Sequence, residues 1–502
     1  MEYRSSQISV YLKGLLSFMW TGAAIGIAIT SCGLWGKVGF VVKKRRDYVL
    51  KVAYGDMQDD RISQLPDDIL SMILSHLDLV EAIRTRILSR RWKNICKLRS
   101  SLDFDCNRMF GENGHHHNGR HSHKLRFLKA VYHSLQLYSS QNITRLSLTC
   151  CLGKKFAADF SRWIQSDALK GVQELMLSFH SCNCVDEYGF PLPFQLLFEA
   201  ASLTRLKLMS CVLQSSFRCH NNSLRFLTLV KVPLDNGEFP IILSSCLNLQ
   251  GLVVSHCKVP PKLDISGQCL RLRSLYIEFC PGLEEIDICA GNLYLFSCYT
   301  DQIIRCSLQF VPKLEELSLS FNGNGTVPCV FREVAKSCPR LKELLVQTKT
   351  DELLYMPAKM NTFSNLTMLA LLMTFKVQAD LQNVAHIIDA CPLLDLLHLM
   401  ARSPRYIEQR GGTWPCRHHG HLKGVAFDGF GGTRYEIEFA SYVLQTAAAL
   451  EKMCIYSKYR TFNEHFRWQD HVDYVMKDEG RRLIYKQLVG QALSSKVELI
   501  IE

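Results

Sequence analysis

A short apolar unit of the form L-x-x-L-x-L returns thirteen times between residues 143 and 456, and this constrains the fold more than any other feature. Clear copies are "ITRLSL" at 143, "LTRLKL" at 203, "LRSLYI" at 272, "LEELSL" at 314, "LTMLAL" at 366 and "LDLLHL" at 394, with a damaged one near "LYLFSC" at 293. The spacing between copies runs from 21 to 31 residues. Leucines at alternate positions of an extended segment share one face, so each unit reads as a short strand with its apolar side turned inward. Several intervening stretches, "PIILSSC", "FREVAKSC" and "VAHIIDAC", carry helical patterning. Each is followed by Pro or a turn residue, as in "CPRL" and "CPLL", which ends the helix before the next strand. A single unit cannot hide its apolar face and must stack on its neighbours. The pattern predicts one continuous α/β solenoid over 143–456, with short, mostly parallel strands and helices or loops outside.

The residue between the last two apolar positions of each strand projects onto the concave side. These positions are Ser147, Met176, Lys207, Thr228, Val253, Tyr276, Ser318, Leu345, Ala370, His398, Ala426 and Cys454. Lysine occurs there once and arginine never, whereas a nucleic-acid groove needs a stripe of basic residues interleaved with aromatics. The mixed, partly apolar row suits protein or small-ligand recognition, with Lys207, Thr228, Tyr276, Glu278, Ser318 and His398 as candidate contacts. A net charge of +12 does not alter this, because nearly half of the excess lies in residues 1–56. The 21 cysteines are scattered through apolar segments such as "LMSC" and "VVSHC". That usage fits buried free thiols in a reducing compartment, the cytoplasm or the nucleus, rather than a disulfide framework.

Residues 15–36 contain no charge and are long enough to cross a bilayer as a helix. "KKRR" at 43–46 would then leave the rest of the chain on the cytosolic side. The alternative reading is that residues 1–56 are an extension preceding a natural start at Met57. Either way, residues 1–56 are expected to make few contacts with the remainder.

Residues 61–98 read as three short helices. Pro66 suits the first helical position, Asp67 and Asp68 the positive end of the helix dipole, and Ile69, Leu70, Ile73, Leu74 and Leu77 recur at helical spacing. Asp78 with Glu81 resembles a capping box for a second helix carrying Val80, Ala82, Ile83 and Ile87. Ser89 can cap a third, with Trp92, Ile95 and Cys96 pointing inward. So few residues bury too little surface alone, and such a module is expected to complete its core against a partner.

The stretch "DRISQLPDDILSMILSHLDLVEAIRTRILSRRWKNI" resembles the plant F-box, departing from its pattern at Asp78, Val80 and Arg86. The resemblance implies docking to a Skp-type adaptor, and through it to a cullin, by Leu65, Pro66, Ile69, Leu70, Ile73, Leu77, Ala82, Leu88 and Trp92. "FDGFGGTRYEIEFASYVLQTAAALEKMCIYS" is similar to the FBD-type ending of plant F-box proteins with leucine-rich repeats. The implied organisation is an N-terminal extension over 1–56, an F-box over 60–98 and a linker with a helical segment over 99–142. Leucine-rich repeats follow over 143–420, and an FBD-like region over 421–502 ends the solenoid. The implied role is non-catalytic: a receptor that brings a substrate protein to a ubiquitin ligase. The alternatives are a small-molecule-sensing F-box receptor and a membrane-tethered repeat protein.

"HHHNGRHSH" at 115–123 and "CRHHGH" at 416–421 invite a metal, but they lack ligands spaced across two elements and read as solvated loops. Cys182 and Cys184 do not have the two-residue spacing of a zinc or redox pair. "GFGG" at 429–432 lacks the following Lys-Ser/Thr of a phosphate loop. No metal and no cofactor are expected.

Overall fold

The computed structural model describes residues 64–502 apart from internal stretches, the longest being 111–120, 180–188, 194–201, 215–222, 322–329, 349–359 and 403–413. The expectations for residues 1–56, including the uncharged run 15–36, lie outside the described residues, as do those for Asp78, Cys182 and Cys184. Among the described residues no helix is long and apolar enough to cross a membrane.

The repeats build one fifteen-stranded sheet whose neighbours follow chain order. Its strands are β1 (Ser101–Asp105), β2 (Arg145–Cys150), β3 (Glu174–Phe179), β4 (Arg205–Met209), β5 (Phe226–Val230), β6 (Gly251–Ser255), β7 (Ser274–Glu278) and β8 (Leu295–Tyr299). They continue as β9 (Glu316–Phe321), β10 (Glu343–Thr348), β11 (Met368–Thr374), β12 (Leu396–Arg402), β13 (Gly424–Asp428), β14 (Lys452–Tyr456) and β15 (Glu498–Ile501). All neighbouring pairs are parallel. The damaged copy near 293 is an ordinary strand, β8, because Phe296 and Cys298 supply its inward face.

The sheet extends beyond 143–456 at both ends. The expected linker 99–142 holds β1, paired in register with β2, and the helix His121–Tyr138, whose Phe127, Val131 and Leu135 are buried in the common core. The tail adds β15 against β14. One departure from parallel order is an antiparallel hairpin, Tyr459–Phe462 with Trp468–His471, which lies against β12. A second, three-stranded parallel sheet (Lys262–Ser266, Glu285–Cys289, Arg305–Phe310) takes the place of helices between β6 and β9.

One apolar core runs the length of the solenoid, from Leu102 and Leu146 through Leu252 and Leu317 to Leu450 and Ile455. At several strand exits the backbone turns through the left-handed region on a non-glycine residue: Ser210, Lys231, His256 and Phe279 have φ of 54°, 54°, 53° and 47°. Each donates its N–H to a carbonyl of the following strand (Val230, Ser255, Glu278 and Tyr299), so the ladder repeats from unit to unit. These bonds offset the steric cost of positive φ.

The next residue inward is Cys211, Val232, Cys257 or Cys280, and all are buried. The Cys257 thiol sits 3.5 Å from the Leu229 carbonyl and accepts from the Val232 N–H at 3.4 Å. The scattered cysteines thus fill a repeated turn position, and every cysteine among the described residues is a free thiol. Burial pushes Cys211 and Cys257 up to about 12 and Cys280 up to about 11. Because the thiolate is the nucleophile, iodoacetamide is expected to label the part-exposed Cys289 and Cys306 in native protein and to reach Cys211, Cys257 and Cys280 only after urea unfolding. Peptide mass spectrometry checks the order of labelling.

Candidate functional site

The N-terminal module consists of α1 (Asp67–His76), α2 (Leu79–Thr85) and α3 (Arg90–Lys97). Pro66 stands one position earlier than expected, at the cap, and its carbonyl accepts the Leu70 N–H at 3.1 Å. Ser89 caps α3 as expected, its Oγ accepting the Trp92 N–H at 3.3 Å. Arg91 ties α3 to the start of α1: its Nε donates to Asp67 at 2.7 Å and its Nη2 to the Leu65 carbonyl.

The nine expected adaptor residues divide into two groups. Leu70, Ala82 and Trp92 are buried together with Leu74, Ile95 and Cys96, and Leu65, Ile73 and Leu77 pack against that cluster. These six hold the three helices together, and Leu70, Ala82 and Trp92 present no surface to a partner. A single short sequence cannot separate the two roles, because the same apolar residue types serve both. Pro66 is exposed, and Ile69 and Leu88 keep 39% and 64% of their surface open. Met72 at 55% and Ile87 at 88% join them and were not expected as contacts. Ile87 was placed inward on the second helix, but α2 ends at Thr85, where the Thr85 Oγ1 donates to the Ala82 carbonyl at 2.7 Å. Ile87 falls in the turn beyond.

The module also closes on its own chain. Leu79 is buried in the solenoid core, Ile83 packs on it, and α2 lies against β1. Part of the apolar surface expected to await a partner is therefore covered internally.

On the solenoid, strand register aligns the expected concave positions into one row, Ser147, Met176, Lys207, Thr228, Val253 and Tyr276, then Ser318, Leu345, Ala370, His398, Ala426 and Cys454, and adds Ser297 of the damaged copy, which was not expected there, between Tyr276 and Ser318. Lys207, Thr228 and Tyr276 are half-buried and within reach of a partner. Ser318, His398 and Glu278 are instead buried. Ser318 is engaged by the Tyr299 hydroxyl at 2.6 Å, and His398 Nε2 lies 3.2 Å from Asp428. Beside Ser318 and His398 in register stand Leu345 and Ala370, which with Met368, Leu372 and Met400 form a second apolar cluster on this half of the face. Glu278 has no such pairing on its Oε1, and burial pushes its carboxyl up to about 8 despite a hydrogen bond with Ser255.

The glycine-rich "GFGG" loop is occupied by its own chain. Gly431 and Thr433 donate N–H bonds to the Glu436 carboxylate at 3.1 and 2.9 Å, and the Thr433 side chain accepts from the Glu436 N–H at 3.3 Å. This capping box starts the helix Arg434–Thr446. Thr433→Ala is expected to cost about 1–2 kcal/mol, read as a lower urea midpoint. Of the "CRHHGH" stretch, Cys416 and Arg417 lie outside the described residues, and His418, Gly420 and His421 are exposed as expected of a solvated loop, while His419 turns in to 3.1 Å from the Tyr442 hydroxyl; just before it Trp414 stacks on Tyr435 and Tyr442. Of the other histidine run, 115–120 lies outside the described residues and His121 opens a helix.

Comparison with known proteins matches two families in this chain. Residues 62–103 match the F-box domain. Residues 135–483, well over half of the chain, match the family described as At1g61320/AtMIF1, LRR domain. Similar curated proteins from Arabidopsis thaliana include an F-box/FBD/LRR-repeat protein, 32% identical over 206 residues, which are 39% of this chain and 44% of that one. A second F-box/FBD/LRR-repeat protein is 32% identical over 204 residues, 39% of this chain and 43% of that relative. A putative F-box/LRR-repeat protein is 31% identical over 204 residues, 40% and 45% of the two chains. The matched stretch thus spans less than half the length of each of these relatives. With a matching F-box, a parallel solenoid and a family match covering most of that solenoid, the chain belongs to the plant F-box proteins with leucine-rich repeats.

Proposed function

We propose that this protein is a substrate-recognition subunit of a Skp–cullin–F-box ubiquitin ligase. The observation that carries this reading is the distribution of apolar surface on α1, α2 and their turns. The module closes its own core with Leu70, Leu74, Ala82, Trp92, Ile95 and Cys96, and still leaves Ile69, Met72, Ile87 and Leu88 open to solvent. Large apolar side chains grouped on so small a module are explained by burial against a second protein. In this reading the Skp-type adaptor covers Pro66, Ile69, Met72, Ile87 and Leu88, and a cullin is joined through the adaptor.

The concave row on β2–β7 is the proposed face for a substrate protein, with Lys207, Thr228 and Tyr276 as its reachable contacts. Ubiquitin transfer then takes place on other subunits, and this chain contributes proximity and orientation without bond chemistry of its own. The cytoplasm or nucleus is the proposed site of action, on the cytosolic side of a membrane if residues 15–36 insert. Contact of α2 with β1 supports the reading, since it joins the proposed adaptor surface to the solenoid that would carry the substrate.

Co-expression with a plant Skp-type adaptor tests the reading. The expected result is a one-to-one complex on size exclusion that also binds a cullin. Failure of the folded protein to bind any Skp-type adaptor would sink it.

A further inference from the structure

On the concave side of β7, Glu278 is 2% exposed and its Oε1 finds no hydrogen-bond donor among the described residues. Buried carboxylates are ordinarily paired, and an orphaned oxygen asks for an explanation. Strand register sets Glu278 between Ser255 on β6 and Tyr299 on β8, and Tyr276 precedes it by two residues on the same face. Both tyrosines are half-exposed. Further along the face, Glu316 and Glu343 add two more carboxylates at the starts of β9 and β10. On β6 to β11, no strand residue on this face is Lys or Arg.

We propose that Glu278, flanked by Tyr276 and Tyr299, anchors a basic side chain, arginine or lysine, of the protein held on the concave face. This rests on the reading of that face as the substrate face. A cation is the ligand class that satisfies both features of the place. Once the half-exposed Tyr276 and Tyr299 side chains turn aside to uncover it, the cation donates to the orphaned oxygen as a charge-assisted hydrogen bond, and it lies favourably on the face of a tyrosine ring. An anionic group would meet the Glu278 carboxyl with no lysine or arginine on the neighbouring strands β6 and β8, and an apolar one would leave the oxygen unsatisfied. Burial holds the carboxyl protonated near neutral pH, so docking of a cation exchanges the Glu278 proton for the incoming charge. The polar and titratable groups around it are Ser255 and His256 from the β6 side, Tyr299 from β8, and Cys298 and Cys280 beneath.

The full chain, in complex with its adaptor, is offered an oriented peptide library with a central Arg or Lys, and matched libraries with citrulline or norleucine there. Wild-type protein is expected to favour the basic peptides by about ten- to a hundredfold. The preference should strengthen from pH 7 to pH 9 as Glu278 loses its proton more easily. Glu278→Gln is expected to abolish both the preference and its pH dependence, while Lys336→Ala, exposed on the return between β9 and β10 and off the strand face, keeps them. Equal retention of basic and neutral peptides by wild type, or an unchanged preference in Glu278→Gln, overturns the cation site but leaves the face itself standing. No retention of any peptide by wild type overturns both. If Glu278→Gln fails to fold, the pH profile of wild type decides, and a flat profile between pH 7 and pH 9 refutes the proposal.

Discussion

Replacing Ile69 and Leu88 together by alanine is expected to weaken adaptor binding by about 30- to 800-fold while leaving the solenoid's melting unchanged. Both side chains are open to solvent, so truncating them removes little from the folded chain. Full burial of one such side chain is worth roughly 1.5–3 kcal/mol, and partial exposure of Ile69 in the free protein lowers its share. A loss of about 2–4 kcal/mol for the pair corresponds to that range of affinity. Leu70→Ala serves as the contrasting variant. Leu70 is wholly buried, so its truncation is expected to cost about 2–5 kcal/mol of stability. It would lower adaptor binding only by loosening the helices. Calorimetry with purified adaptor, alongside melting curves for each variant, separates contact from support. Undiminished binding by the Ile69/Leu88 variant would show that the adaptor uses another surface.

The second large effect concerns pH. Glu278 titrates near 4.5 in an unperturbed chain and is pushed up to about 8 by burial in the folded one. Between those values the native state holds a proton that the unfolded state has lost. Its contribution to stability is therefore fully present below about pH 4.5 and is lost as pH rises through about 8. The slope is about 1.4 kcal/mol per pH unit in that window, giving a total on the order of 5 kcal/mol at most. Glu278→Gln removes the titration. The variant is expected to be more stable than wild type at pH 9, and the difference is expected to shrink toward pH 5. Urea midpoints for both proteins at pH 5, 7 and 9 check this, and other titrating groups cancel in the comparison. A constant difference across that range would mean that the folded carboxyl is solvated.

This pH dependence bears on the proposed substrate face. A carboxyl that weakens the free protein above neutral pH is relieved when a basic side chain docks on it, so binding and stability are coupled at one residue. Affinity and thermal protection by a basic peptide are then expected to rise together with pH.

Much of this architecture follows from patterns that repeat. Leucine at alternate positions, returning at intervals of 21 to 31 residues, specifies strands, their inward face and their stacking, because one unit cannot bury itself. The row from Ser147 to Cys454 could be written from that spacing alone, and the register bears it out. Helical spacing and cap residues over 61–98 likewise located three helices, with Ser89 capping the third.

Only the tertiary structure decided which residues face outward to a partner and which face inward. Leu70 and Ile69 are adjacent and equally apolar, yet one is fully buried and the other open, because α3 packs over one side of α1. Depth on the concave side was equally illegible. Tyr276 and His398 occupy equivalent strand positions, but His398 is closed by Asp428 from β13, thirty residues away. The ends of the solenoid also escaped the pattern. β1 and β15 carry "SLDFD" and "ELII", too short to show a repeat, and they are strands because a neighbouring strand offers unpaired backbone groups at each edge. Local periodicity selects the element and its buried face, whereas exposure depends on contacts between residues far apart in the chain.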